Sequence, residues 1–237
     1  ILDEHHELSL RWCGMHGYAP ANYALQEADC IIALGSRFDD RTTGNLSEYA
    51  PNAFKNKGII HVNIEPSELN KVVKSHYNFN MDCSIFLNEA IKYIEYKDRT
   101  TWNNTINNWK DKYQFRFPNE KSKERLNMEY VLDSLYRNTL SKNVLFTTGV
   151  GNHQMQAYQF IKSQYPKKIL SSGSLGVMGA SLPYSIGAQI ANPDKLIVAI
   201  DGDSSFNMTC TDLKTIKENN LPIKIAIMNN NAQMMVT

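Results

Sequence analysis

The sequence has no charge excess, no paired cysteines and no long apolar run, and each lack narrows what the protein does. Lys and Arg total 25 against 24 Asp and Glu, a formal charge of +1. Nothing in that balance points to a nucleic-acid polyanion or an anionic membrane surface as partner, so recognition has to be local. Four cysteines (Cys13, Cys30, Cys83, Cys210) lie far apart, with no CxxC pair and no histidine cluster at metal-ligand spacing. Neither a disulfide framework nor a zinc site is indicated, and a reducing or neutral compartment fits. No apolar stretch approaches the ~18 residues of a membrane helix, and the reading is of a soluble globular protein. A basic, apolar or small-residue targeting pattern is also missing. The chain opens on Ile1 without Met and closes on Met234-Met235-Val236-Thr237. Both ends read as cut, and the expectation is an internal slice of a longer polypeptide.

What is present is alternation. The 237 residues suffice for one large or two ordinary domains at ~150 residues each. Ala19 to Ala28 has a helical pattern, and Cys30 to Leu34 is a continuous apolar run closed by Gly35, as expected of a parallel strand buried on both faces. Gly58 to Ile64 repeats the strand signal, and Ile85, Leu87, Ala90, Ile91 and Ile94 predict a helix over Ser84 to Tyr96. Composition then shifts to charged, amide and aromatic residues from Lys97 to about Asn127. Trp102 and Trp109, seven apart, predict one packed face of a surface helix, followed by an extended linker. Strand and helix then alternate again. Helices are predicted at Asn127–Leu140, His153–Ile161, Ala180–Ala191 and Ser205–Glu218. Strands are predicted at Val144–Thr147, Lys168–Ser171, Leu196–Ile200 and Ile223–Met228. The fold class read from this is α/β, with two doubly wound parallel-sheet domains, both incomplete, joined by a linker. The divisions fall at 1–96, 97–126 and 127–237.

Three glycine-bearing junctions follow strands in the second domain: Gly149-Val150-Gly151, Gly173 to Gly179, and Asp201-Gly202-Asp203-Ser204-Ser205. In an open α/β sheet they share the carboxyl edge, where ligands bind. A GxGxxG dinucleotide fingerprint from Gly149 fails because Gln154 stands where the third glycine belongs. The sharper pattern is Asp203 followed 27 residues later by Asn230 within Asn229-Asn230-Asn231. Each lies just past a predicted strand, with one crossover helix between, so a right-handed crossover returns both to the same edge. A carboxylate and an amide oxygen beside the N–H groups of Ser204 and Ser205 can hold Mg²⁺ against a diphosphate, since Mg²⁺ takes its remaining oxygens from phosphate and water. Singly, Asp-Gly-Asp-Ser is an ordinary capped turn and the Asn run an ordinary loop. Their spacing is what favours the metal reading, and it resembles the thiamine-diphosphate motif, with Ser204 in place of its last glycine.

Longer blocks carry a more specific resemblance. Gly14-Met15-His16-Gly17, Gly35-Ser36-Arg37-Phe38-Asp39-Asp40-Arg41-Thr42-Thr43-Gly44, Thr148 to Met155, Gly173 to Gly179 with Leu182-Pro183, and Ile200 to Asp203 are similar in colinear order to the catalytic subunits of the acetolactate synthase (acetohydroxyacid synthase) family. The resemblance covers essentially the whole chain. It implies that 1–96 is the C-terminal part of a central, FAD-binding domain and 127–237 the N-terminal part of a thiamine-diphosphate-binding domain. It implies the decarboxylating condensation of pyruvate with pyruvate or 2-ketobutyrate, in branched-chain amino-acid biosynthesis.

The same resemblance assigns residues. FAD contacts are expected at His16, Gly17, Gly35, Ser36, Arg37, Asp39, Asn63, Ile64 and Asp82. Arg41 would receive the carboxylate of the second 2-keto acid, with Met15 lining that pocket; a mutual salt-bridge network with Asp39 and Asp40 is the alternative role of both Arg37 and Arg41. Thiamine diphosphate is expected at Asn152, His153, Gln154, Gly173, Gly176, Gly202, Ser204, Ser205 and Gln233. Met178 would prop the cofactor's bent conformation, and Met235 joins the catalytic set. Asp203, Asn230 and the carbonyl of Ala232 would hold Mg²⁺. Met234 stands where the family has glycine. The family's activating glutamate belongs to an N-terminal domain that this sequence does not include, so the chain alone is expected to be inactive. A homodimer or tetramer, a regulatory small subunit, and a mitochondrial, plastid or bacterial cytoplasmic location are further implications. Neither nucleic acid nor membrane is expected as a partner. Two alternatives stay open: another thiamine-dependent carboligase or decarboxylase, such as a glyoxylate carboligase, and a non-catalytic relative kept as a binding partner.

Overall fold

The computed structural model describes residues 3–115, 126–164 and 168–235. The chain divides into two compact units, Leu10–Gln114 and a second comprising 1–9 with 115–237.

The Leu10–Gln114 unit is built on a parallel sheet of order β1-β2-β3. Its elements are α1 (Ala19–Glu27), β1 (Ile31–Leu34), α2 (Asp40–Thr43), α3 (Pro51–Lys55), β2 (Ile59–Asn63), β3 (Tyr77–Asn80), α4 (Cys83–Ala90) and α5 (Thr100–Lys112). Its core gathers Ala33, Phe38, Tyr49, Ala50, Ala53, Ile59 and Val73, with Leu25 of α1 and Phe54 of α3 against them. Contrary to the expectation of two buried faces, β1 buries Ala33 but leaves Ile32 and Leu34 49% and 41% exposed. The apolar run is long enough for two covered faces, yet this unit covers one. The helix expected over Ser84 to Tyr96 is regular only to Ala90, passes through one 3₁₀ turn at Ile91–Tyr93, and ends in extended backbone at Ile94. Asp82 caps it by accepting from Ser84 N–H at 2.7 Å. Between 97 and 126, the expected helix forms as α5. Trp102 and Trp109 meet edge-to-face at 5.9 Å, and Trp109 lies 5.6 Å from Tyr23 of α1. Residues 116–125 of the expected linker lie outside the described residues.

The second unit carries a four-stranded parallel sheet of order β5-β4-β6-β7. In chain order it runs α6 (Met128–Thr139), β4 (Val144–Thr148), α7 (Asn152–Phe160), β5 (Ile169–Ser171), α8 (Ser181–Ala191), β6 (Leu196–Gly202), α9 (Asp203–Thr209), α10 (Leu213–Glu218) and β7 (Lys224–Met228). Period-two alternation sends neighbouring strand residues to opposite faces. Val144, Phe146, Val198 and Ile200 pack with Leu132 and Tyr136 of α6 and Ala157 of α7. Leu145 and Ile197 face Ala188 of α8. Both faces are covered, which is why these strands read as unbroken apolar runs. The helix predicted over Ser205–Glu218 is two helices in the structure. Thr209 leaves helical geometry at φ −133° and donates its hydroxyl to the Gly179 carbonyl at 2.8 Å, and a 3₁₀ turn at Cys210–Asp212 separates α9 from α10. A β-branched side chain with a hydroxyl competes with the helix for such bonds.

Candidate functional site

The chain leaves β4 toward β5 on one side and β6 on the other, so the strand order reverses beside β4. In an open parallel sheet, such a reversal opens a crevice at the carboxyl ends, because the flanking loops diverge. A cavity of about 220 Å³ lies there. After β4 come Val150 to His153, and at the end of β6 Gly202, followed by Asp203 to Ser205; the stretch after β5 adds Gly176 and Met178. Past β7, Asn230, Ala232, Gln233, Met234 and Met235 close it, with Met128 of α6 and Met228 of β7.

Two helices begin at this cavity without a side-chain cap. Gly151 is the N-cap of α7, at φ +152°, a backbone region that side-chain-bearing residues rarely adopt; Gly202 is the N-cap of α9. Their first N–H groups are left for a ligand, and a helix start favours an anion. Gly202 pairs in register with Met228, so Asp203 and Asn230 emerge side by side at the same edge. Asn230 Oδ1 accepts the Ala232 N–H at 3.1 Å, which fixes the amide and keeps its second lone pair available. Among the described residues no three His, Cys, Asp or Glu side chains converge. One carboxylate, one amide and one backbone carbonyl suit a hard cation that completes its shell with phosphate and water. Among the described residues no Lys or Arg lines the cavity.

Behind the cavity lies a buried pair. Asp201 is fully buried, with its Oδ1 accepting the Gly202 N–H at 3.0 Å and lying 3.4 Å from His153 Nε2. Asp201 Oδ2 and His153 Nε2 are buried with no hydrogen-bond partner among the described residues. Ser205 Oγ, also buried, accepts the Gly179 N–H at 2.8 Å and ties two of the glycine junctions together.

Of the residues expected around thiamine diphosphate, the cavity brings together Asn152, His153, Gly176, Met178, Gly202, Asp203, Ser204, Ser205, Asn230, Ala232, Gln233 and Met235. Gln154 and Gly173 do not line it. The Gln154 side chain instead donates to Ser171 Oγ at 2.6 Å, because a helix position two past Asn152 turns toward β5. Met128, Met228 and Asp201 were not singled out from sequence. Asp201 carried a signal, an acidic residue next to the carboxyl end of an otherwise apolar strand, whereas Met128 and Met228 look like core filler.

In the Leu10–Gln114 unit, the expected FAD positions other than His16 and Gly17 sit at three adjacent strand ends: Gly35 to Asp39 after β1, Asn63 and Ile64 at the end of β2, and Asp82 after β3. The Ser36 carbonyl accepts from His61 Nε2 at 2.8 Å and Asn63 Nδ2 at 3.0 Å. Asn80 of β3 donates to the carbonyls of Asn63 and Ile64 at 3.0 and 2.9 Å. Asp39 caps α2 through Thr42 N–H at 3.2 Å, and the hydroxyl and amide of Ser84 hold the Asp82 carboxyl below its usual range. Met15 and Arg41 meet, with Met15 N–H donating to the Arg41 carbonyl at 2.7 Å and the guanidinium 3.6 Å from Met15 Sδ. The salt-bridge alternative for Arg41 is weak, because its Nε lies 4.0 Å from Asp40 and both side chains are largely exposed. His16 stacks obliquely on Trp12 at 6.3 Å, and Gly17 sits against the Trp12–Cys13 backbone. Arg37 is exposed on the same loop.

Residues 149–237 match the C-terminal, TPP-binding domain of thiamine pyrophosphate enzymes, and residues 1–90 match the central domain of the same enzymes. Over its whole length the chain is 42% identical to the mitochondrial acetolactate synthase catalytic subunit of Saccharomyces cerevisiae, covering 36% of that protein. It is also 42% identical to the mitochondrial acetolactate synthase of Schizosaccharomyces pombe, covering 37% of it. Over 97% of the chain it is 40% identical to the chloroplastic acetolactate synthase of Arabidopsis thaliana, covering 34% of that protein. The chain therefore spans a little over a third of the length of the curated relatives it matches. With both domains matched in order and this identity along the whole chain, it belongs to the thiamine pyrophosphate enzyme family, beside the acetolactate synthase catalytic subunits.

Proposed function

We propose that this chain is the part of an acetolactate synthase catalytic subunit that holds thiamine diphosphate through Mg²⁺ in the cavity beside β4 and β6, and FAD along the strand ends of the first sheet. The reaction is the decarboxylating condensation of pyruvate with a second 2-keto acid. What carries the reading is the cavity itself: two helix starts without side-chain caps and an Asp203/Asn230 edge, with no cationic side chain among the described residues. That combination suits a diphosphate whose charge is met by a divalent cation and by backbone N–H groups.

When bound, thiamine diphosphate supplies the electron sink for decarboxylating a 2-keto acid. The chain's residues supply position. Asp203 and Asn230, with the Ala232 carbonyl, would hold the metal; Ser204 and Ser205 would present N–H groups to the diphosphate; Met178, Met128, Met228 and Met235 line the same cavity with soft apolar side chains. Arg41 pairs with a substrate carboxylate through its planar fork. Organellar location, a homo-oligomer and a regulatory subunit go with this reading. Among the described residues no helix is long and apolar enough to cross a membrane.

Two measurements on the full-length polypeptide test it. The enzyme should form acetolactate from pyruvate only with thiamine diphosphate and Mg²⁺ present; preference for glyoxylate would redirect the assignment to another carboligase. Calorimetric titration should show Mg²⁺-dependent thiamine diphosphate binding that Asp203→Ala abolishes, and an unchanged isotherm would refute the metal assignment.

A further inference from the structure

Asp201 is the only carboxylate buried to this degree among the described residues, and one backbone N–H does not offset the desolvation of an ionised group. Its surroundings are shaped around it. A Cβ on Gly149 would collide with Asp201 Oδ1 and Ser205 Oγ. A Cβ on Gly202 would come within 2.8 Å of His153 Nδ1, and one on Gly151 within 2.9 Å of the same ring. Glycines from two separate junctions thus make room for a single histidine–aspartate pair. His153 faces the cavity, while its Nε2 turns inward to 3.4 Å from Asp201. Each partner keeps one polar atom that nothing else among the described residues satisfies.

We propose that Asp201 is a positioning residue that acts through His153. Its carboxylate takes the Nε2–H, fixes the rotation of the imidazole between Gly151 and Gly202, and so presents the opposite ring edge to the ligand of the cavity. A histidine whose inward nitrogen is anchored by a carboxylate meets its ligand in one orientation, and at metal-ligating histidines losing such an anchor costs ~10–100-fold, which sets the scale expected here. The inference rests on the thiamine diphosphate reading for the identity of that ligand, although the pairing itself does not.

The test is a double-mutant cycle on the full-length protein, read by calorimetric titration of thiamine diphosphate at saturating Mg²⁺. Asp201→Ala should weaken binding about 10-fold. Asp201→Asn, which keeps an acceptor for Nε2–H, should recover most of that loss. In a His153→Ala background, Asp201→Ala should add less than about twofold, because residues acting as a unit are non-additive. Full additivity, or unchanged affinity in Asp201→Ala, overturns the proposal while leaving the cofactor reading intact. Wild-type protein that binds no thiamine diphosphate overturns the cofactor reading instead. A crystal structure of the full-length wild type then decides the pairing, as it also does if the variants fail to fold. An Asp201 oxygen within about 3.2 Å of Nε2 is expected, and an imidazole turned away from Asp201 refutes it.

Discussion

Gly149→Ala puts a single methyl group where the second unit has no space. Gly149 has no positive φ, so its backbone accepts alanine without strain. Stiffening the unfolded chain would by itself stabilise by ~0.4–1 kcal/mol. Opposing that, the new Cβ collides with Asp201 Oδ1 and Ser205 Oγ. Neither can retreat: Asp201 is fully buried and held by Gly202 N–H, and Ser205 is 1% exposed and held by Gly179 N–H. Overpacking a filled site costs ~1–3 kcal/mol, and displacing a buried carboxylate belongs at the top of that range. The steric side wins, leaving a net loss of about 2 kcal/mol, or ~1 M in urea midpoint at a slope of ~2 kcal/mol per molar. Gly187 is the control. It lies inside α8 with nothing within 4 Å of a built Cβ, so Gly187→Ala should raise the midpoint by ~0.5 M through helix propensity alone. Urea titrations of the wild type and both variants, followed by far-UV circular dichroism, decide the matter. Equal shifts of the same sign, or a Gly149→Ala as stable as the wild type, would refute the packing argument.

Three further outcomes are expected. Burial pushes the Tyr49 hydroxyl up to about 12 from 10. The folded state then keeps a proton that the unfolded state releases, so this contribution is whole below pH ~10 and is lost as pH rises toward 12; Tyr49→Phe should flatten that alkaline decline, and an identical decline in both proteins would contradict it. His61→Ala removes a fully buried ring that bonds the Ser36 carbonyl and meets Phe38 edge-on at 4.9 Å. It should cost ~3 kcal/mol, visible in tryptophan fluorescence because Trp12, Trp102 and Trp109 all lie in Leu10–Gln114; a loss under ~1 kcal/mol would count against that role. Asp39→Ala should lower stability by ~1 kcal/mol, because its carboxylate accepts the Thr42 N–H at 3.2 Å and the Thr42 hydroxyl at 3.1 Å; an unchanged urea midpoint would argue against the cap.

How much of this was legible beforehand depends on what each residue answers to. β4 and β6 were visible because both their faces are covered, so every residue except Asp201 is apolar or small for the same reason. β3 was not. Tyr77-Asn78-Phe79-Asn80 is exposed at every position, so no core constrained its side chains to a readable pattern, and its backbone pairing with β2 is what makes it a strand. The apolar face expected of α4 is present in sequence, but no residue of that helix is buried; hydrophobic spacing reports a face that needs a partner, not where the partner is. In the site, Asp203 and Asn230 could be read because a crossover of known hand fixes where strand ends return. Gln154 could not be placed, because which side of α7 faces the ligand depends on the exact start of that helix. Asp201 was hidden in the motif that named Asp203, since a turn-forming Asp-Gly gives the first aspartate a local explanation.

A net charge of +1 and a polyanionic cofactor would conflict if the whole surface did the holding. They agree when the holding is confined to the end of one sheet. Among the described residues no Lys or Arg lines the cavity, so on the proposed reading its attraction for a diphosphate would come from helix N–H groups and from the cation that Asp203 and Asn230 would hold. Dipoles of that kind act within the first helical turn and leave no trace in composition. A site built on lysines loses affinity steeply with salt because each contact is an exposed charge pair. One built on backbone groups and an inner-sphere cation depends instead on the free concentration of that cation. Geometry, fixed by three glycines and a strand-order reversal, does here the work that a basic patch does elsewhere, and for that reason the composition of this chain is silent about the ligand that its topology is shaped to hold.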